Sequence, residues 1–154
     1  MTCSAGGETT CVPDEHADPP AAVAESLAEA MNERDIEAFV SLFAVDYDSQ
    51  EPAHPDRAFS GRDQVRENWS AIFAGVPDLR AELVDVASAG DTLWTEWRWR
   101  GTHTDSSRLE MAGVIVMGVR GGLIAWARLY VEPIEQAGGG IDAAVAKMSG
   151  SGSQ

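Results

Sequence analysis

At 154 residues and 44% apolar composition, the chain has the length and hydrophobic content of one domain with a real core. Its formal charge of −14 is concentrated at one end: residues 1–51 carry twelve acids against a single arginine, and the remainder is close to balanced. That excludes a basic footprint for nucleic acid and opposes an anionic membrane surface.

Residues 1–18, rich in Ser, Gly, Thr, Pro and acids, read as a disordered acidic tail. Cys3, Cys11 and His16 fall inside it, and the body that follows holds no cysteine. Such cysteine usage suits a reducing compartment, and nothing in the chain resembles a signal peptide or a membrane span. The expectation is a cytoplasmic protein with no membrane or nucleic-acid partner.

Pro19-Pro20 leads into a helix over Ala21–Asn32, with Val23, Leu27 and Met31 along one stripe. Asp35 reads as the cap of a second helix whose apolar face is Ile36, Phe39, Val40 and Phe43. Tyr47 to Ser60 contains Pro52 and Pro55 and reads as a short strand and loop. Ser60 and Asp63 have capping-box spacing for a third helix carrying Val65, Trp69, Ile72 and Phe73, stopped by Gly75 and Pro77.

After Asp78 the period changes from helical to two. Strands are predicted over 79–88, 92–103, 109–119 and 123–133, joined by short breaks that imply antiparallel hairpins. Gly138–Gly140 reads as a hinge before a short helix over 141–148 and a flexible end. The domain proper therefore spans 19–136. Helices followed by an antiparallel meander make an α+β fold, in which a bent sheet can enclose a pocket against the helices.

The segment Leu93-Trp94-Thr95-Glu96-Trp97-Arg98-Trp99 alternates strictly. One face holds Leu93, Thr95, Trp97, Trp99 and, further on, His103; the other holds Trp94, Glu96, Arg98 and Arg100. The first face is predicted to line a pocket. The second, joined by Trp126 and Tyr130 on the last strand, is predicted to meet another surface, with Arg stacking on Trp. A homodimer through that face is the expected partner.

Several segments together resemble the SnoaL-like branch of the nuclear transport factor 2-like superfamily: Asn32–Phe43, Tyr47–Pro52, Phe59-Ser-Gly-Arg, Phe73–Asp78, Trp97–His103 and Gly122–Tyr130. The resemblance covers about residues 21–135. It implies a cone-shaped fold, with three N-terminal helices packed on a curved antiparallel sheet around an apolar pocket. The same superfamily holds ketosteroid isomerases and limonene epoxide hydrolases.

Position by position, the resemblance implies little conserved chemistry beyond one carboxylate. Glu51, just before Pro52, falls where the isomerases carry their general base. Their oxyanion donors fall at Leu27 and near Val114 or Ile115, none of which can donate. The charged positions of the epoxide hydrolases fall at Trp97, Trp99 and Leu129, and the cyclase acid falls at Ile115. The catalytic candidates are accordingly Glu51, as a base, and His103, beside Gly101-Thr102. Tyr47, Trp97, Trp99, Ile115, Met117 and Leu129 are candidate ligand contacts.

The three histidines are scattered without acidic partners at ligand spacing, so no metal is expected, and no cofactor. His54, between two prolines, reads as a rim residue. The leading expectation is a pocket for a small hydrophobic, polycyclic molecule, with cofactor-free isomerisation or cyclisation as its chemistry. A non-catalytic ligand-binding or dimerisation module is the alternative, and epoxide hydrolysis the third.

Overall fold

The computed structural model describes residues 19–151. The expectations for the acidic tail, Cys3, Cys11 and His16, and for residues 152–154, lie outside the described residues.

Helix α1 spans Ala21–Glu33 and buries Val23, Ala24, Leu27, Ala30 and Met31, the stripe its spacing predicts. It ends where Arg34 adopts a left-handed conformation, from which its guanidinium donates to the Leu79 carbonyl at 3.1 Å. Helix α2, Ile36–Val40, is capped as expected: the Asp35 carboxylate accepts from the Ala38 N–H at 3.1 Å. The helix is shorter than its apolar face suggests. Phe43 belongs to strand β1, Phe43–Gln50, where it pairs with Ile124 of the last strand.

A single 3-10 turn, Pro55–Arg57, leads to the two-residue strand β2, Phe59–Ser60, and then to helix α3, Arg62–Gly75. The predicted capping box does not form. Gly61 is the N-cap, at φ +102, and the Ser60 hydroxyl donates instead to Asp48 Oδ1 at 3.0 Å. Strand pairing places Ser60 opposite Asp48, so that carboxylate takes the hydroxyl before the helix can.

Four long strands follow: β3, Arg80–Ala89; β4, Thr92–Thr102; β5, Arg108–Arg120; and β6, Leu123–Pro133. They pair in an antiparallel meander. The complete sheet runs β2-β1-β6-β5-β4-β3, with β1 parallel to β6. Register shifts at Leu83/Asp85 and Gly118/Val119 act as bulges, which bend strands and increase twist. The curved sheet closes over α1 and α3, giving the α+β architecture.

Register settles the faces of β4. Leu93, Thr95, Trp97 and Trp99 are buried on the inner side, while Trp94, Glu96, Arg98 and Arg100 are exposed on the outer side. Cross-strand pairing extends the inner side to Met111, Ile115 and Met117, then to Ala127, Leu129 and Val131. Helix α4, Gly140–Ser149, lies where a short helix is expected and buries none of its side chains; Ile141, Val145 and Met148 are exposed.

Candidate functional site

A cavity of about 380 Å³ lies between the inner face of the sheet and the helices. Leu27 and Met31 of α1 and Val65, Trp69 and Ile72 of α3 form one side of it. Ile115, Met117 and Leu129 form the other, and Phe39 and Phe43 close one end. The aromatic side chains interlock: Phe39 meets Trp69 at 4.6 Å between ring centroids, and Trp69 meets Trp99 nearly edge-to-face at 5.6 Å.

The polar lining is sparse and comes mainly from β1 and the residue that follows it. Tyr47, Ser49 and Glu51 are alternate residues, so the pleat turns all three to the cavity. Arg57 and Asn68 complete the polar set. Glu51 Oε2 lies 3.4 Å from Arg57 Nη1, and the Glu51 side chain is 22% exposed. Where β1 ends, the chain turns sharply, with the His54 N–H donating to the Glu51 carbonyl at 2.7 Å. The His54 ring holds that turn to β6 through Glu132 Oε1, also at 2.7 Å.

Tyr47 is 4% exposed. Burial pushes its phenol up to about 12, an effect opposed by the Ser49 hydroxyl and reinforced by the Asp48 charge. The phenol therefore keeps its proton, and its capacity to donate, across the physiological range. Asn68 accepts at Oδ1 from Gln64 Nε2 at 2.8 Å, which leaves its own amide hydrogens for the cavity side.

Tyr47, Glu51, Trp99, Ile115, Met117 and Leu129 thus line one cavity. Two expected site residues do not join them. Trp97 faces inward but is fully buried and absent from the cavity wall; its indole N–H is spent on the Thr95 hydroxyl at 2.7 Å. The position opposite it is Gly113, where a side chain would run into the backbone of Tyr130 and Val131 on β6. His103 lies beyond Gly101, where β4 has run past the Glu51 cavity. It lines a separate cavity of about 290 Å³ at the C-terminal end of α3. Glu51 and His103 therefore do not form one acid–base pair.

Ser49, Arg57 and Asn68 were not among the expected contacts. Ser49 shares its parity with Tyr47 and Glu51, and Asn68 stands three residues after Val65 and four before Ile72 on the helix. Those spacings carry the signal. Arg57 sits in an aperiodic turn that offers none. Among the described residues, no group of three or more His, Cys, Asp or Glu side chains converges as a metal site. No helix among them is long and apolar enough to cross a membrane.

A model of the SnoaL-like domain matches residues 23–127. No curated protein matches the chain. Among solved structures, it is similar to IdmH, described as "a putative polyketide cyclase from Streptomyces antibioticus", at 25% identity and a TM-score of 0.66, covering 75% of this chain and 93% of that one. It is also similar to a Mycobacterium tuberculosis protein solved with estradiol-17beta-hemisuccinate, at 18% identity and a TM-score of 0.64, covering 74% and 94%. A third likeness is to an epoxide hydrolase of M. tuberculosis, at 14% identity and a TM-score of 0.64, covering 73% and 82%. The last two likenesses are of fold.

Proposed function

Because the chain belongs to the SnoaL-like domain family of the nuclear transport factor 2-like superfamily, we propose that its cavity binds a small hydrophobic, polycyclic ketone and that Glu51 acts on it as a general base without a cofactor. The observation that carries this reading is one carboxylate, Glu51, at the edge of a cavity walled chiefly by aliphatic and aromatic side chains. The steroid ester bound by one structural neighbour and the polyketide cyclase description of another support the ligand class.

In this reading the Glu51 carboxylate takes a proton from a carbon next to the carbonyl. The C–H electron pair passes through the conjugated system to the carbonyl oxygen, and the Tyr47 hydroxyl donates to the resulting enolate. Tyr47 and Glu51 are four residues apart on one strand face, so their Cα atoms stand about 13 Å apart. That separation suits a fused-ring substrate, in which charge generated at one carbon reaches an oxygen several bonds away. Returning the proton to another carbon completes an isomerisation. Attack of the enolate carbon on a second carbonyl, with the proton passing to the new alkoxide, completes an aldol-type cyclisation.

Proton abstraction can be read without knowing the product. Deuterium exchange from D2O into 2-tetralone and anthrone, followed by NMR, is expected to run faster with the protein than in buffer. Glu51→Gln is expected to slow it by about a hundredfold or more while tryptophan quenching by the ketones persists. Exchange indifferent to Glu51→Gln would remove Glu51 as the base.

The second reading is a binding module without turnover. The ion pair between Glu51 and Arg57 favours it, as does the absence of polar groups at Leu27, Ile115 and Leu129. It predicts quenching by the ketones with exchange no faster than in buffer.

We also propose that the outer face of the sheet joins a second copy of the chain. Trp94 and Tyr130 are 49% and 43% exposed there, the buried Val116 lies between Trp94 and Arg128, and the Arg128 guanidinium lies 4.7 Å over the Trp126 ring. Sedimentation is expected to give a dimer that Trp94→Arg converts to monomer; a monomeric wild type would dispose of the proposal.

A further inference from the structure

Two cavities lie on either side of one partition. The first, about 380 Å³, opens beside Glu51 and Arg57. The second, about 290 Å³, opens beside His103 and Gly75. Trp69, Ile72, Trp99 and Met111 line both and so form the wall between them. Met111 is unbranched and adaptable, which makes it the member of that wall best able to give way.

The partition also contains an unmet donor. Trp99 is 9% exposed, and its Nε1 is the one buried side-chain polar atom among the described residues with no hydrogen-bond partner. Buried donors are normally satisfied, as the neighbouring Trp97 is by Thr95. An acceptor arriving between the chambers would satisfy Trp99.

The rim of the second cavity is a built structure. The His103 N–H donates to the Ser107 carbonyl at 2.8 Å, and the Thr104 N–H donates to the Gly75 carbonyl at 3.2 Å, tying the β4–β5 turn to the end of α3. Pockets for drug-sized ligands run from about 300 to 1,000 Å³. Each cavity alone sits near the bottom of that range, and the two together lie well inside it.

We propose that the two cavities are chambers of one binding site, and that its ligand is a planar ring system joined to an apolar arm through a carbonyl or ether oxygen. The ring system occupies the first chamber and the arm the second, with the junction oxygen accepting from the Trp99 indole. This rests on the ligand-pocket reading above and adds the shape of the ligand to it.

The test uses the fluorescent ketones 6-acetyl- and 6-hexanoyl-2-dimethylaminonaphthalene, whose emission reports hydrogen bonding at the carbonyl. Each methylene buried is worth roughly a fourfold gain in affinity, so the hexanoyl form is expected to bind wild type at least tenfold more tightly. Leu109→Trp and Ala71→Trp obstruct only the second chamber. Both are expected to erase the gain while leaving acetyl affinity within about twofold, and Trp99→Phe to shift the bound emission to the blue. If the acetyl ketone does not bind, the pocket reading falls and this proposal with it. If it binds but the hexanoyl form gains nothing, or keeps its gain in both obstructed variants, the two-chamber site falls alone.

Discussion

The indole N–H of Trp97 donates to the hydroxyl of Thr95, 2.7 Å away on the same face of β4, and both residues are fully buried. The Thr95 hydroxyl in turn donates a hydrogen bond to the Ile115 carbonyl, also at 2.7 Å. The relay satisfies a donor that the core would otherwise strand. Thr95→Val keeps the β-branched shape and removes both bonds. It is expected to cost about 1–3 kcal/mol in urea denaturation, with Thr95→Ser costing less. A Thr95→Val protein as stable as wild type would show that the relay contributes nothing.

The same pair marks how far the sequence can be read. Alternation alone separates Trp97 and Trp99 from Trp94, because strand parity is local. It cannot separate Trp97 from Trp99, since depth on one face depends on what covers it. Trp69 of α3 stands against Trp99 at the cavity, whereas Trp97 is fully buried on the Thr95 hydroxyl. His103 has the right parity too, but the strand has left the Glu51 cavity by that point. The hairpins of β3–β6 follow from period and turn residues. The parallel pairing of β1 with β6 is long-range and leaves no local trace. The Ser60 capping box failed for a similar reason: the competing acceptor, Asp48, is twelve residues away.

Asn32 acts as a surrogate strand partner at the edge of the sheet. Its Nδ2 donates to the Ala81 carbonyl at 3.0 Å, and its Oδ1 accepts from the Ala81 N–H at 2.7 Å. β3 is the last strand in the order, so this bidentate contact fastens its start to α1. Asn32→Asp replaces the donor with an acceptor facing a carbonyl. It should lower stability by about 1–3 kcal/mol, and hydrogen exchange should rise first in β3. Unchanged protection of the Ala81 amide would contradict the tie.

Gly118 and Trp126 face each other across β5 and β6, and the indole lies where a Gly118 side chain would begin. Gly118→Ala therefore displaces the ring, and with it the stacked Arg128. Overpacking of this kind is expected to cost about 1–3 kcal/mol and to alter the near-ultraviolet circular dichroism. If neither changes, the indole is not held against the glycine. Weakened dimerisation in the same variant would connect this packing to the proposed interface.

Tyr47 gives the protein an alkaline limit whose direction follows from its burial. The phenol ionises near 10 in the unfolded chain and is pushed up to about 12 in the folded one, chiefly by desolvation. Between those values the native state holds a proton that the unfolded state has released. Stability contributed by Tyr47 is thus complete below pH 10 and lost as pH rises through 12. Two units correspond to about 3 kcal/mol. Tyr47→Phe removes the titrating group, so its unfolding free energy should fall less steeply than that of wild type over this window. Parallel profiles for the two proteins would mean that the phenol ionises in the folded state as freely as in water. It would then not be the buried hydroxyl that the proposed enolate needs as its donor.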